Sequence, residues 1–169
     1  MNDKSNADSS PNVIYLQDVL DKEFGQGTTK VILPITDPYI AHHGALGSFA
    51  TVFFRTKVST EDAIKAIGHL SGVELVMDRQ SAVKRFELPG DRIGDLVVVS
   101  DKETVLGTKR ADHDLSQLGG MRLRSHGGLA DSEVSFIISR PLSKRYQSIA
   151  ASRRIRNYDI FEFVLNGVR

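Results

Sequence analysis

His126 lies in Met121-Arg-Leu-Arg-Ser-His-Gly-Gly128, where glycines let the backbone come close to a metal ion or a phosphate. A zinc centre needs three or four protein ligands in a fixed shell, and a hydrolytic centre also needs a nucleophile or an activated water. Nothing near His126 in sequence completes such a set. Spacing alone leaves two readings open: a metal ligand whose partners lie elsewhere, or a histidine at the tip of a tight turn. Three further groups contain ligand-type residues. His42-His43 are adjacent, so in an extended segment their side chains point to opposite sides and cannot easily share one ion. Asp112-His113-Asp114 meets the same objection, although Asp112 and Asp114 could share a face, and polar loops produce such triplets freely. His69, between Ile67 and Leu70, reads as structural. No His-Glu-x-x-His helix, Gly-x-Ser-x-Gly elbow or phosphate-binding Gly-x-x-x-x-Gly-Lys-Ser loop occurs. The absence of cysteine excludes disulfides, thiolate metal sites and a cysteine nucleophile, and fits a reducing cytoplasm. On the residues alone, no catalytic residue is assigned.

The elements that must position these residues are read from periodicity. Residues 2–12 are polar and should form a loop or flexible tail. Val13, Leu16, Leu20 and Phe24 recur at helical spacing and stop at Gly25. Residues 30–35 and 49–55 read as strands, the second rich in β-branched and aromatic side chains. Ser59-Thr-Glu-Asp62 has the pattern of a capping box, opening a helix through Ala63, Ile64, Ile67 and Leu70 that Gly72 ends. Alternation over 73–77 and again over 82–88 suggests two strands about a turn, so 49–88 should be a strand, helix, strand, strand lobe. The unbroken apolar run 96–99 suits a strand covered on both faces. Residues 101–120 read as a surface excursion leading to His126, and 134–138 as a buried strand. Residues 142–156, dense in Lys and Arg, should be solvated; Asp159-Ile-Phe-Glu162 resembles a second capping box, with its helix closed by Gly167.

At 169 residues and 40% hydrophobic content, the chain can bury a core of about one domain. The 22 basic and 21 acidic side chains nearly cancel, so no global field recruits nucleic acid or an anionic membrane. The arginines near residue 150 lack interleaved aromatics and read as a solvated face. The start lacks the basic and apolar character of a secretory signal, and 96–99 is far too short to span a bilayer, so a cytoplasmic protein is expected.

Six stretches in order carry a resemblance: Pro11-Asn-Val-Ile-Tyr-Leu-Gln-Asp18, Leu33-Pro-Ile-Thr-Asp-Pro-Tyr39, His42-His-Gly-Ala-Leu-Gly-Ser48, Gly94-Asp-Leu-Val-Val-Val99, Arg124-Ser-His-Gly-Gly128 and Asn157-Tyr-Asp-Ile-Phe161. Together they resemble the C-terminal part of the phosphonoacetate hydrolases, a family of the alkaline phosphatase superfamily. The resemblance implies an α/β fold: the C-terminal part of an alkaline-phosphatase-like sheet with helices, plus an α+β cap lobe. It divides the chain into a flexible 1–12, a core segment 13–48, the cap lobe 49–93 and a core segment 94–169 with the metal-ligand loop. It implies zinc-dependent hydrolysis of the carbon–phosphorus bond of phosphonoacetate to acetate and phosphate, with two zinc ions in the complete enzyme. His126 matches the last metal ligand of that family. The family's threonine nucleophile, its other ligands and its Asp-His-Gly motif have no match here; Met1-Asn2 resembles the residues that follow that motif. The expectation is therefore a C-terminal fragment that is inactive alone, and that pairs with an upstream fragment or as a homodimer. The competing expectation is a non-catalytic remnant or stand-alone α/β interaction module.

Overall fold

The computed structural model describes residues 2–34 and 45–169. In chain order its elements are strands β1 (Asn2–Asp3) and β2 (Val13–Tyr15), helix α1 (Leu16–Phe24), strands β3 (Thr29–Ile32) and β4 (Phe49–Phe54), helix α2 (Thr60–Gly68), strand β5 (Val73–Asp78), helix α3 (Arg79–Phe86), and strands β6 (Leu96–Ser100), β7 (Val105–Gly107) and β8 (Arg124–Ser125). Helices α4 (Lys144–Ser152) and α5 (Asp159–Glu162) follow, the latter running into a π-helical turn, Phe163–Gly167. The chain divides into two units, one reaching Ser132 and one from Glu133 to Arg169.

The first unit is organised around β6. Its five residues are all buried because alternate side chains enter two different clusters. Leu96 and Val98 join Leu16, Leu20, Ala63 and Ile67 from α1 and α2, while Val97 and Val99 face Ala82, Ile93 and the rings of Phe49 and Phe86. The sheet order is β3-β4-β6-β5 and every pairing in it is antiparallel. The unbroken apolar run thus reports burial on both faces, and not the parallel arrangement such runs usually accompany. Gly94 sits before β6 where any side chain would collide: an added Cβ would lie 2.2 Å from Thr51 Oγ1 and 2.4 Å from the Val52 carbonyl oxygen.

The mixed α/β architecture expected from the sequence is present, and α1, α2, β3, β4, β5 and β6 lie within a few residues of their expected places. Ser59 caps α2 by accepting the Asp62 N–H. Five local readings need correction. Residues 2–12 hold a strand and a fully buried lysine, Lys4. Val13 does not begin a helix; it pairs with Val105 in a parallel β2·β7 ladder. Residues 79–86 form a helix where alternation suggested a strand, because Asp78 accepts the Ser81 N–H at 2.8 Å and its Oδ2 accepts the Ser81 hydroxyl, which nucleates a turn. The sheet that contains β4 and β5 therefore takes no strand from 82–88; β3 and β6, from outside 49–93, complete it. Within the expected surface excursion 101–120, β7 is wholly buried, its Val105 packing with Leu46, Leu118 and Leu123.

In the second unit, residues 134–138 are neither strand nor buried. They have no ladder partner among the described residues. Helix α4 is largely exposed, as its basic composition suggested, but Tyr146 is buried and its ring meets Phe163 edge-on at 5.3 Å. Asp159 does not act as the first residue of a capping box. Its carboxylate accepts two hydrogen bonds from the Arg153 guanidinium, at 2.7 and 2.8 Å, and one from the Arg156 N–H at 2.7 Å. These three donors hold its pKa down to about 2, the guanidinium contributing most.

Candidate functional site

His126 follows directly on β8, and its surroundings are built from backbone. The Ser48 N–H donates to the His126 carbonyl at 2.9 Å, and the Ser100 N–H donates to the Ser48 carbonyl at 3.0 Å, so the histidine loop is stitched to the end of β6 through Ser48. The Ser125 hydroxyl donates to the Leu46 carbonyl at 2.7 Å. Gly127 turns the chain at φ +97°, a conformation that costs a residue with a Cβ. A Cβ on Gly128 would lie 3.1 Å from that of Ser48. The two glycines noted in the sequence thus let the loop lie against Ser48.

Beneath this loop is a group that sequence reasoning missed. Lys4 is 0% exposed, and its ammonium donates to the Ser48 hydroxyl at 2.7 Å and to the carbonyls of Asp101 and Thr104, both at 3.1 Å. Three protons meet three acceptors, the condition under which a charge can be buried. Burial pushes the lysine pKa below its ordinary value, against the pull of Asp131, Asp101 and Glu74. The Ser100 hydroxyl also donates to the Thr104 carbonyl, at 2.6 Å, and Asn12 Nδ2 donates to Thr104 Oγ1 at 2.9 Å. Lys4 therefore fastens Ser48, which in turn holds the His126 carbonyl. No compositional signal marks it: a single lysine among Asn, Asp, Ser and Ala carries no periodicity.

The other ligand-type residues serve loops of their own. His113 is buried beside the Tyr15 ring, and its Nε2 accepts the Thr108 N–H at 2.8 Å. Asp112 accepts the Thr108 hydroxyl at 2.8 Å, and Asp114 accepts the Ser116 N–H at 2.9 Å. Asp114 is held below the usual carboxylate range by the hydroxyl and N–H of Ser116. His69 closes α2, its N–H donating to the Lys65 carbonyl. His42 and His43 lie outside the described residues. Among the described residues no three His, Cys, Asp or Glu side chains converge as a metal shell. The described residues therefore do not by themselves fit a zinc ion, let alone two.

Gly127 and Gly128 also form one wall of an open cavity of about 490 Å³ that Phe49, Phe86, Leu88 and Val99 also line. Its lining is mostly apolar, with Arg92 among the few polar residues, so it offers volume but few polar groups to orient a ligand. No helix among the described residues is long and apolar enough to cross a membrane.

No family model matches the chain. Among solved structures, phosphonoacetate hydrolase from Sinorhizobium meliloti 1021, crystallised with phosphonoformate and again with phosphonoacetate, matches 96% of this chain at 41% identity and a TM-score of 0.73. The chain is related to phosphonoacetate hydrolase. It spans 38% of the length of that enzyme. Murine ectonucleotide pyrophosphatase / phosphodiesterase 5 matches 64% of the chain at 18% identity and a TM-score of 0.42, too slight a likeness to carry an argument. The relation to the hydrolase extends across almost all of the chain.

Proposed function

We propose that this chain supplies the His126-bearing, C-terminal part of a phosphonate hydrolase, one that splits the carbon–phosphorus bond of phosphonoacetate into acetate and phosphate. The reaction adds one water: its oxygen joins phosphorus, and a proton goes to the carbon of the departing acetate. The observation that carries the reading is 41% identity to a phosphonoacetate hydrolase over 96% of the chain. His126 would be one metal ligand, with the nucleophile and the remaining ligands supplied by the rest of the enzyme's length. β1 runs antiparallel to β8 with Asn2 opposite Ser125, which sets β1 beside the residue that leads into His126. Near-balanced charge suits a small dianionic substrate better than a polyanion.

The test is a chimera in which this chain replaces the matching segment of the Sinorhizobium meliloti enzyme. The chimera should release phosphate from phosphonoacetate, His126→Ala should lower the rate at least about 100-fold, and the isolated 169-residue chain should release none. A His126→Ala chimera of unchanged rate, or turnover by the isolated chain, overturns the reading.

A further inference from the structure

The segment that carries Lys4 is laid along the strand leading to His126. Asn2 and Asp3 pair with Ser125 and Arg124, and the Lys4 N–H donates to the Leu123 carbonyl at 2.8 Å. Its side chain leaves this ladder for the interior, where the ammonium meets the Ser48 hydroxyl and the carbonyls of Asp101 and Thr104. Two routes run from that ammonium to the histidine loop. The first is Ser48, whose own N–H holds the His126 carbonyl and whose Cβ would lie 3.1 Å from a Cβ added to Gly128. The second is charge. Among the acidic side chains that act on Lys4, Asp131 pulls most strongly, ahead of Asp101 and Glu74. Asp131 ends the short turn Leu129–Asp131, and its N–H donates to the Gly128 carbonyl at 3.1 Å. Asn2, on the same strand as Asp3, donates to Asp131 Oδ1 at 3.3 Å. One buried ammonium thus acts on both ends of the loop that His126 opens.

We propose that Lys4 is a positioning residue of the phosphonate hydrolase: through Ser48 and the turn at 129–131 it fixes where the His126 loop stands, and so sets the rate of a reaction whose substrate it never touches. Contact with substrate is ruled out by burial. Lys4 is 0% exposed in this chain, further polypeptide can only enclose it more, and its three protons already have acceptors. A buried charge is also a weak source of stability, because desolvation offsets most of the attraction it gains. What it supplies is selection: the ammonium is satisfied only when Ser48 and the two carbonyls converge on it, and that arrangement is the one that holds His126. The inference rests on the hydrolase reading for its consequence and on this chain alone for its cause.

Two measurements on Lys4→Met divide cause from consequence. In the isolated chain, the nuclear magnetic resonance signals of the His126 ring and of the Gly127 and Gly128 amides should shift and broaden. Ile67→Ala, a loss from the cluster that α1 and α2 form with the sheet, should leave them in place. In the chimera, Lys4→Met should lower kcat for phosphonoacetate at least about 10-fold with KM kept within about twofold, the pattern of a reacting group held out of place. Ile67→Ala should leave kcat unchanged at a temperature where both variants are folded. Ser48→Ala keeps the backbone bond to His126 and the two carbonyls around the ammonium, and should show the same changes at smaller size, so it decides the matter where Lys4→Met does not fold. Unmoved loop signals in both variants overturn the inference, and so does an equal fall in kcat with Ile67→Ala. An inactive chimera whose loop signals respond to Lys4→Met sinks the catalytic reading alone; an active chimera whose kcat ignores Lys4→Met sinks this inference alone.

Discussion

Up to Ser132 the chain buries a lysine; beyond it the chain leaves valine, isoleucine, phenylalanine and leucine in water. Residue type would assign each to the other place. What decides is whether partners exist. Lys4 goes inside because the Ser48 hydroxyl and the carbonyls of Asp101 and Thr104 meet its three protons. Val134, Ile137, Phe161 and Leu165 stay outside because no described residue covers them. In the first unit the described apolar side chains are mostly gathered into three buried clusters, and the second has an apolar face to spare.

One substitution made in both units tests the contrast most strongly. Leu96→Ala removes a fully buried side chain from the central strand and should cost about 3 kcal/mol or more, from lost transfer energy and the cavity left behind. Leu165→Ala, the same chemistry at 77% exposure, should change stability by less than about 0.5 kcal/mol. Urea unfolding followed by circular dichroism checks both. Comparable losses at the two positions would mean that Leu165 is covered in solution, and the contrast would dissolve.

The Lys4 latch comes next in size. Lys4→Met keeps most of the stem volume but removes the donors, leaving the Asp101 carbonyl without the ammonium, while the Ser48 hydroxyl keeps the Thr104 carbonyl at 3.4 Å and Thr104 keeps the hydrogen bond from Ser100. A loss of about 2 kcal/mol is expected at neutral pH. The pH dependence has a definite sign. Burial lowers the lysine pKa in the folded state from 10.5, so between that lowered value and 10.5 the unfolded chain binds more protons. Stability due to Lys4 should therefore rise with pH across that window, as the penalty for burying the charge is lifted. The wild-type advantage over Lys4→Met, measured by urea midpoints, should widen toward pH 10.5. A narrowing advantage would show that the buried charge stabilises, contrary to the direction given.

These two tests bear on how much of the molecule could be read in its residues. β6 was legible because a run of four apolar residues has few other fates, and α2 because Ser59 supplies the cap its pattern announces. α3 was not, since Ala82, Lys84, Phe86 and Leu88 alternate as a strand would, and the deciding interaction is Asp78 with Ser81, outside the alternating set. β7 was hidden because its three residues sit among Asp, Lys, Thr and Gly that hydropathy averages together. Residues 134–138 were read as buried because hydropathy reports a tendency, and the tendency lacks its counterpart in the described chain. At the site, the glycines after His126 announced a close backbone approach, which Ser48 makes. The latch below it depends on three acceptors 44, 97 and 100 residues away from Lys4, and local patterns do not reach that far.

The smallest expected effect lies in the second unit, at the Asp159 carboxylate. Asp159 joins Arg153 and the Arg156 N–H ahead of α5, and Tyr146 joins Glu162. With its pKa held down from 3.8 to about 2, the Asp159 carboxylate contributes stability that is fully present above 3.8 and is lost as pH falls through about 2. Amide exchange across 153–167 should therefore stay slow in the wild type as pH falls below 3.8 and quicken toward 2. Asp159→Asn keeps an oxygen that can accept from Arg156 but no charge for the guanidinium. Its exchange should be faster at neutral pH and nearly flat through the acid range. Matching acid profiles in the two proteins would place the order of this unit in the packing of Phe163 against Tyr146 and Phe136, with the ion pair an ornament on its surface.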